Sequence, residues 1–161
     1  HDEIGVQLYD QLLSEGKDLG ARPGCPNLIE RIESGLLSYG NDMDMNDTPL
    51  ECGLDAFVSF NPDIEYLGKE VLEKQHQQGI SRSLVGIMMD LKEISVTQYL
   101  PILNGQNRIG TLRSACYSPD YGKCLGIAMV DKAYQDLDQD LELQIDGIEI
   151  SAKMTNLPFQ K

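Results

Sequence analysis

From Ser81 onward the apolar residues stop recurring at helical spacing and form short runs separated by turn residues, and this change constrains the chain more than any other feature. Leu84–Met89, Leu100–Leu103, Arg108–Tyr117, Leu125–Val130, Leu141–Ile145 and Glu149–Met154 read as strands. Asn104-Gly105 and Asp146-Gly147 mark tight hairpins, because these residue types accept positive φ at low cost. Hairpins repeated at this spacing predict a small antiparallel β-barrel. Asp131–Asp140 is polar enough for a helical turn or loop. With helices ahead of the barrel, the predicted fold class is α+β.

Before Ser81 the spacing is helical. Ile4, Leu8 and Leu12, widened by Tyr9 and Leu13, predict a packing helix that ends at Gly16. Ala21 to Pro26 is a constrained loop, since its prolines fix φ and restrict their predecessors. Asn27 then precedes Leu28, Ile29, Ile32 and Leu36, an apolar stripe, and Glu30 stands where a capping box needs it. Gly35 can stop that helix, and Gly40-Asn41-Asp42 makes a polar turn. Arg31 and Glu33 lie on its polar side, and Tyr39 emerges just beyond its end. A planar donor, a carboxylate and a phenol at such a junction can line a pocket. They equally describe an exposed amphipathic helix with an ordinary surface arginine, the commoner arrangement.

Asn41 to Pro49 reads as a solvated loop, because Asp42, Asp44 and Asp47 lack the glycine and closing glutamate of a calcium loop. Leu54 to Phe60 is a strand candidate broken by Asn61-Pro62-Asp63. Gly68 to Gly79 predicts a third helix, with Val71 and Leu72 inward, Lys69, Glu70, Glu73 and Lys74 outward, and His76 exposed. The helical part gives way to the barrel between Asp42 and Gly53, dividing the chain into 1–45 and 46–161.

A chain of 161 residues suffices for one core. Its formal net charge of −13 argues against nucleic acid and anionic membranes as partners. No apolar run reaches membrane-spanning length, and no signal peptide opens the sequence. His1-Asp2, with no methionine before them, read as the start of a fragment or processed chain. Cys25, Cys52, Cys116 and Cys124 form no C-x-x-C pair, and His1 and His76 are too few to complete a zinc set. Buried free thiols and a cytoplasmic location are expected, with no metal.

ARPGCPNLIERIESGLLSYGNDMD resembles a segment of the glycine cleavage T-protein family, the folate-dependent aminomethyltransferases. Within that superfamily it is worded more like the tetrahydrofolate-dependent dimethylsulfoniopropionate demethylases. ECGLDAFVSF, YLGKE at 66–70, KEIS at 92–95, LRSACYSP at 112–119, GIAMV at 126–130 and NLPF at 156–159 follow in order. The resemblance implies the helical end of a folate-binding central domain followed by the C-terminal barrel, with the catalytic Asp upstream of His1. It places Arg31 and Tyr39 at folate-contacting positions and Glu33 where it braces Arg31. Lys161 falls near the folate tail.

The implied function is methyl transfer from dimethylsulfoniopropionate to tetrahydrofolate, leaving methylthiopropionate. The implied partners are the folate, the substrate and the preceding domains of the same protein. The alternative is an aminomethyltransferase acting on a lipoyl carrier, although SACYSPDYGK departs from the TSGxxSPTLGK usual there. A reading of another class makes the chain a non-catalytic barrel, serving as scaffold or interaction module.

Overall fold

The computed structural model describes residues 2–21, 27–96, 98–135, 140–145 and 148–159. Helix α1 spans Asp2–Gly16 and runs into a short 3-10 turn, Lys17–Leu19. Its apolar stripe does not pack as predicted: Ile4, Leu8 and Leu12 are all more than half exposed. Among the described residues no apolar surface covers it. The proline loop at 22–26 lies outside the described residues.

Helix α2, Leu28–Glu33, starts and stops where its sequence predicts. The Asn27 side-chain oxygen accepts from the Glu30 N–H at 2.8 Å, satisfying one of the free amides of the first turn. Gly35 closes the other end at φ +65°. Its N–H reaches the Ile32 carbonyl and that of Leu36 reaches the Arg31 carbonyl, both at 2.9 Å. This pair of bonds is a Schellman cap, which calls for a residue that enters the left-handed region freely. Only Ile32 of the predicted stripe is fully buried, while Leu28 and Leu36 stay half exposed or more.

Leu54 to Phe60 is not a strand. Asp55–Phe57 forms a 3-10 turn, and no neighbouring strand offers the run a ladder among the described residues. Helix α3, Lys69–Gln78, is bounded by Gly68 and Gly79 as predicted. Its faces differ from the prediction: Val71 is 64% exposed and Lys69 is buried. The Lys69 ammonium donates to the carbonyls of Asn61, Pro62 and Ile64 at 2.7–3.2 Å. Those acceptors compensate its burial and organise the loop before the helix. His76 is exposed as predicted, stacked on Phe60.

Six strands follow: β1 Arg82–Met89, β2 Leu100–Asn104, β3 Asn107–Ser118, β4 Lys123–Asp131, β5 Asp140–Ile145 and β6 Ile148–Thr155. All pairings are antiparallel, in the order β2-β3-β4-β1-β6-β5. The outer strands β2 and β5 face each other, so the sheet is a nearly closed barrel. Each strand contains its predicted run. The β5–β6 turn at Asp146-Gly147 lies outside the described residues.

Strand faces sort into two layers. Val85, Ile87 and Met89 of β1 fill the barrel with Ile109, Leu112 and other inward residues. The opposite face of β4 carries Leu125 and Ile127, which pack with Ile32 of α2 and Phe159. Gly86 makes room for the last of these, since a Cβ there would lie 2.9 Å from the Phe159 ring.

Two bulges in β3 govern which side chains reach which layer. Ile109 is an extra residue against β2 and Arg113 an extra residue against β4. In a straight strand with Leu112 inward, Ser114 would also point inward. The added residue reverses that parity. Ala115 and Tyr117 therefore join the barrel core, while Ser114, Cys116 and Ser118 face the α2 side.

The Gly35 cap yields a prediction. A Cβ there would lie 3.2 Å from Pro158 Cα on a backbone at φ +65°. Gly35→Ala is expected to cost about 1–2 kcal/mol from the left-handed backbone alone. Urea unfolding beside the parent protein measures it, and an unchanged midpoint refutes the cap.

Candidate functional site

The outward strip of β3 meets the α2 segment at three successive outward positions. The Ser118 hydroxyl donates to Glu33 at 2.5 Å. The Cys116 thiol lies 3.9 Å from the Leu28 carbonyl. The Ser114 hydroxyl donates to Asp42, whose side chain is fully buried. Helix α2 is thus fastened to the barrel at its start, at its end and through the loop beyond it.

Asp42 departs most sharply from the predicted solvated loop. One carboxylate oxygen accepts from Ser114, the other from Arg31 and from the Ser38 N–H at 2.7 Å. Its own carbonyl accepts from Arg113 at 2.9 Å. Those donors replace the water that a carboxylate this deep has lost. Arg31 is correspondingly drawn in, with a side chain only 14% exposed. Its Nη1 bonds both Asp42 and the Leu36 carbonyl. Among the described residues its Nε and Nη2 have no partner.

The other predicted site residues fare differently. Tyr39 projects into solvent, 66% exposed, just past the helix as predicted. Glu33 bonds Ser118 and makes no bond to Arg31, so its bracing acts on the β3–β4 hairpin instead. Lys161 lies outside the described residues.

A second cluster was not anticipated. Arg113 forks onto Asp47, with one bond at 2.9 Å. Asp47 also meets Arg82 at 3.2 Å, and Arg82 bonds Glu51 at 2.9 Å. The Asp47 and Arg113 side chains are 1% and 6% exposed. Arg113 also lies over the Tyr99 ring, 5.0 Å from its centroid. Its Nε is buried with no partner among the described residues. The sequence signal was an arginine between Leu112 and Ala115 in the middle of a predicted strand, where a buried position requires a counter-charge.

Burial alone would raise the Asp47 carboxyl. The bonds from Arg113 and the Asp44 N–H, with the charges of Arg113 and Arg82, outweigh it and hold the group below 3.8. Burial opposes Glu51 likewise, but the Arg82 and Thr48 bonds and the Arg82 charge leave it below 4.5. Burial, then the nearby Asp47 charge, pushes Cys52 up to about 11, and burial with Glu33 does the same for Cys116. Such thiols are inert at neutral pH.

A cleft of about 780 Å³ opens between the end of α2, β1 and the 156–158 segment, lined by Leu36, Met43, Leu54, Phe57 and Lys132. Arg31, Glu33 and Tyr39 do not line it. Among the described residues no group of three or more His, Cys, Asp or Glu is placed to hold a metal. None of the described helices is long and apolar enough to cross a membrane.

A six-stranded barrel preceded by helices and a YGND turn defines the class of protein, and sequence comparison agrees. Residues 82–161 match the glycine cleavage T-protein C-terminal barrel domain, and residues 1–62 match the GCVT N-terminal domain. The chain belongs to the glycine cleavage T-protein superfamily. It is 40% identical to the dimethylsulfoniopropionate demethylase of Ruegeria pomeroyi over 82% of this chain and 36% of that protein. It is 35% identical to the aminomethyltransferase of Listeria innocua over 96% of this chain and 42% of that one. The crystal structure of the glycine cleavage system aminomethyltransferase T of Bartonella henselae superimposes with a TM-score of 0.72 at 25% identity, covering 81% of this chain and 37% of that chain. The chain therefore spans well under half the length of these relatives.

Removing one partner of a buried pair strands the other charge. Asp47→Ala is expected to destabilise the fold by about 3–5 kcal/mol in chemical denaturation; a loss below about 1 kcal/mol contradicts the pairing described here. For pH the sign follows from folded-state values below the unfolded ones. Stabilisation by Asp47 and Glu51 is fully present above about pH 4.5 and drains away as pH falls through the lowered folded values. In Asp47→Ala the acid-induced loss of stability should be shallower. An identical acid profile contradicts the assignment.

Proposed function

We propose that this chain is the C-terminal part of a tetrahydrofolate-dependent methyltransferase that demethylates dimethylsulfoniopropionate to methylthiopropionate. The observation that carries the reading is the 40% identity to the Ruegeria pomeroyi demethylase, against 35% for the Listeria innocua aminomethyltransferase. In this reading residues 1–45 end the folate-binding central domain and 46–161 form the barrel domain. The catalytic carboxylate lies in sequence preceding these residues, and the 161-residue chain alone turns nothing over.

The residues present suit a folate. Arg31 keeps an Nε–Nη2 edge unpartnered among the described residues, a fork that fits paired acceptors on a planar group. Tyr39 presents an exposed ring able to stack or to donate a hydrogen bond. Lys161, as a cation, suits an anionic tail. Tetrahydrofolate, when bound, supplies the nitrogen that accepts the methyl group. The sulfonium charge already activates the methyl, and the thioether departs neutral. The task left to the protein is alignment and exclusion of water.

A second reading, an aminomethyltransferase, is favoured by the wider coverage of its relatives, 96% of this chain against 82%. The intact protein, with whatever precedes these residues in its gene, separates the two. It is expected to form methylthiopropionate from dimethylsulfoniopropionate and tetrahydrofolate, and Arg31→Ala should raise the KM for folate about tenfold or more, as for a lost charged hydrogen bond. Turnover of an aminomethyl-lipoyl carrier without methylthiopropionate would establish the second reading. Turnover by the isolated chain would refute catalysis from the preceding sequence.

A further inference from the structure

We infer that Asp42, anchored by Ser114 of the barrel, is a positioning residue that sets the Arg31 guanidinium for its ligand. By this route strand β3 takes part in folate binding without touching the folate. The inference rests on the proposed folate contact of Arg31.

Asp42 has no freedom left. Its two carboxylate oxygens are divided among Arg31, the Ser38 N–H and the Ser114 hydroxyl, and its carbonyl is held by Arg113. These donors come from helix α2, the loop after it, and two residues of β3. The barrel and the loop thus hold the carboxylate through bonds that do not involve Arg31.

Arg31 then has one orientation. Nη1 spends both hydrogens, one on Asp42 and one on the Leu36 carbonyl. Rotation about the guanidinium axis would break both bonds, so the Nε–Nη2 edge is the one left to a ligand. A guanidinium locked in this way gives up less rotamer entropy on binding than a free surface arginine.

A purely adhesive ion pair is a poorer account of the geometry. Burying a pair is a weak source of stability, and an adhesive pair gains most when the arginine forks onto the carboxylate, as Arg113 does on Asp47. Arg31 instead meets Asp42 through a single nitrogen and keeps its fork free.

The test uses the intact protein, with tetrahydrofolate affinity read by calorimetry for Ser114→Ala, Asp42→Asn and Arg31→Ala, and for each of the first two combined with Arg31→Ala. Ser114→Ala is the milder change and keeps the experiment informative if Asp42→Asn fails to fold. The expected result is a loss of about 2- to 10-fold for Ser114→Ala, the worth of one hydrogen bond. That loss should vanish in the Arg31→Ala background, a coupling that general destabilisation would not produce. Equal losses in both backgrounds, or no loss where Arg31→Ala weakens binding, would overturn the positioning role alone. Unchanged affinity in Arg31→Ala itself would overturn both the folate contact and the inference built on it.

Discussion

One fully buried carboxylate, that of Asp42, ties helix, turn and barrel wall together. Asp42 sits where water cannot solvate it, and Arg31, Ser38 and Ser114 donate to it in place of water. Each donor belongs to a different piece of chain: the helix, the turn and the barrel wall. The apolar contacts of Ile32, Leu125 and Phe159 bring those pieces together, but contacts of that kind tolerate sliding. The carboxylate does not, and it fixes the register in which helix and barrel meet.

Much of this arrangement could be read from the residues, because its causes are local. Strand runs, the Asn104-Gly105 hairpin, the Asn27 cap and the Gly35 stop depend on neighbours a few positions away. The parts that escaped depend on partners far along the chain. Asp42 and Asp47 look solvated in a polar stretch, and their burial follows from Ser114, Arg82 and Arg113, dozens of residues later. Lys69 looks like a surface cation on a helix face, and only the fold of the preceding loop aims carbonyls at it. Leu54 to Phe60 has the composition of a strand, yet among the described residues it pairs with none.

The candidate site shows the same division. Arg31 and Tyr39 were visible through the wording of their segment, and the structure leaves one with a guanidinium edge that has no partner among the described residues and the other with an exposed ring. The supporting shell was not visible, because Glu33 and Ser118 become partners only when a hairpin folds beneath the helix. Two arginines of similar burial have thereby taken different tasks. Arg113 spends its fork on a carboxylate of its own fold, and Arg31 does not.

The extra residue at Arg113 also makes β3 a strand in which length matters as much as content. Side chains beyond it reach the correct layer only because one residue has been added. A further insertion or deletion between Ser114 and Ala115 would turn the rest of the strip inside out, sending Cys116 and Ser118 into the barrel and Tyr117 toward the helix. The same change at the β2–β3 hairpin tip, around Gly105 and Gln106, leaves both layers as they are. Two regions of one hairpin thus differ in the kind of mutation they survive. The tip can drift in length, whereas the stretch beneath α2 cannot change the number of its residues.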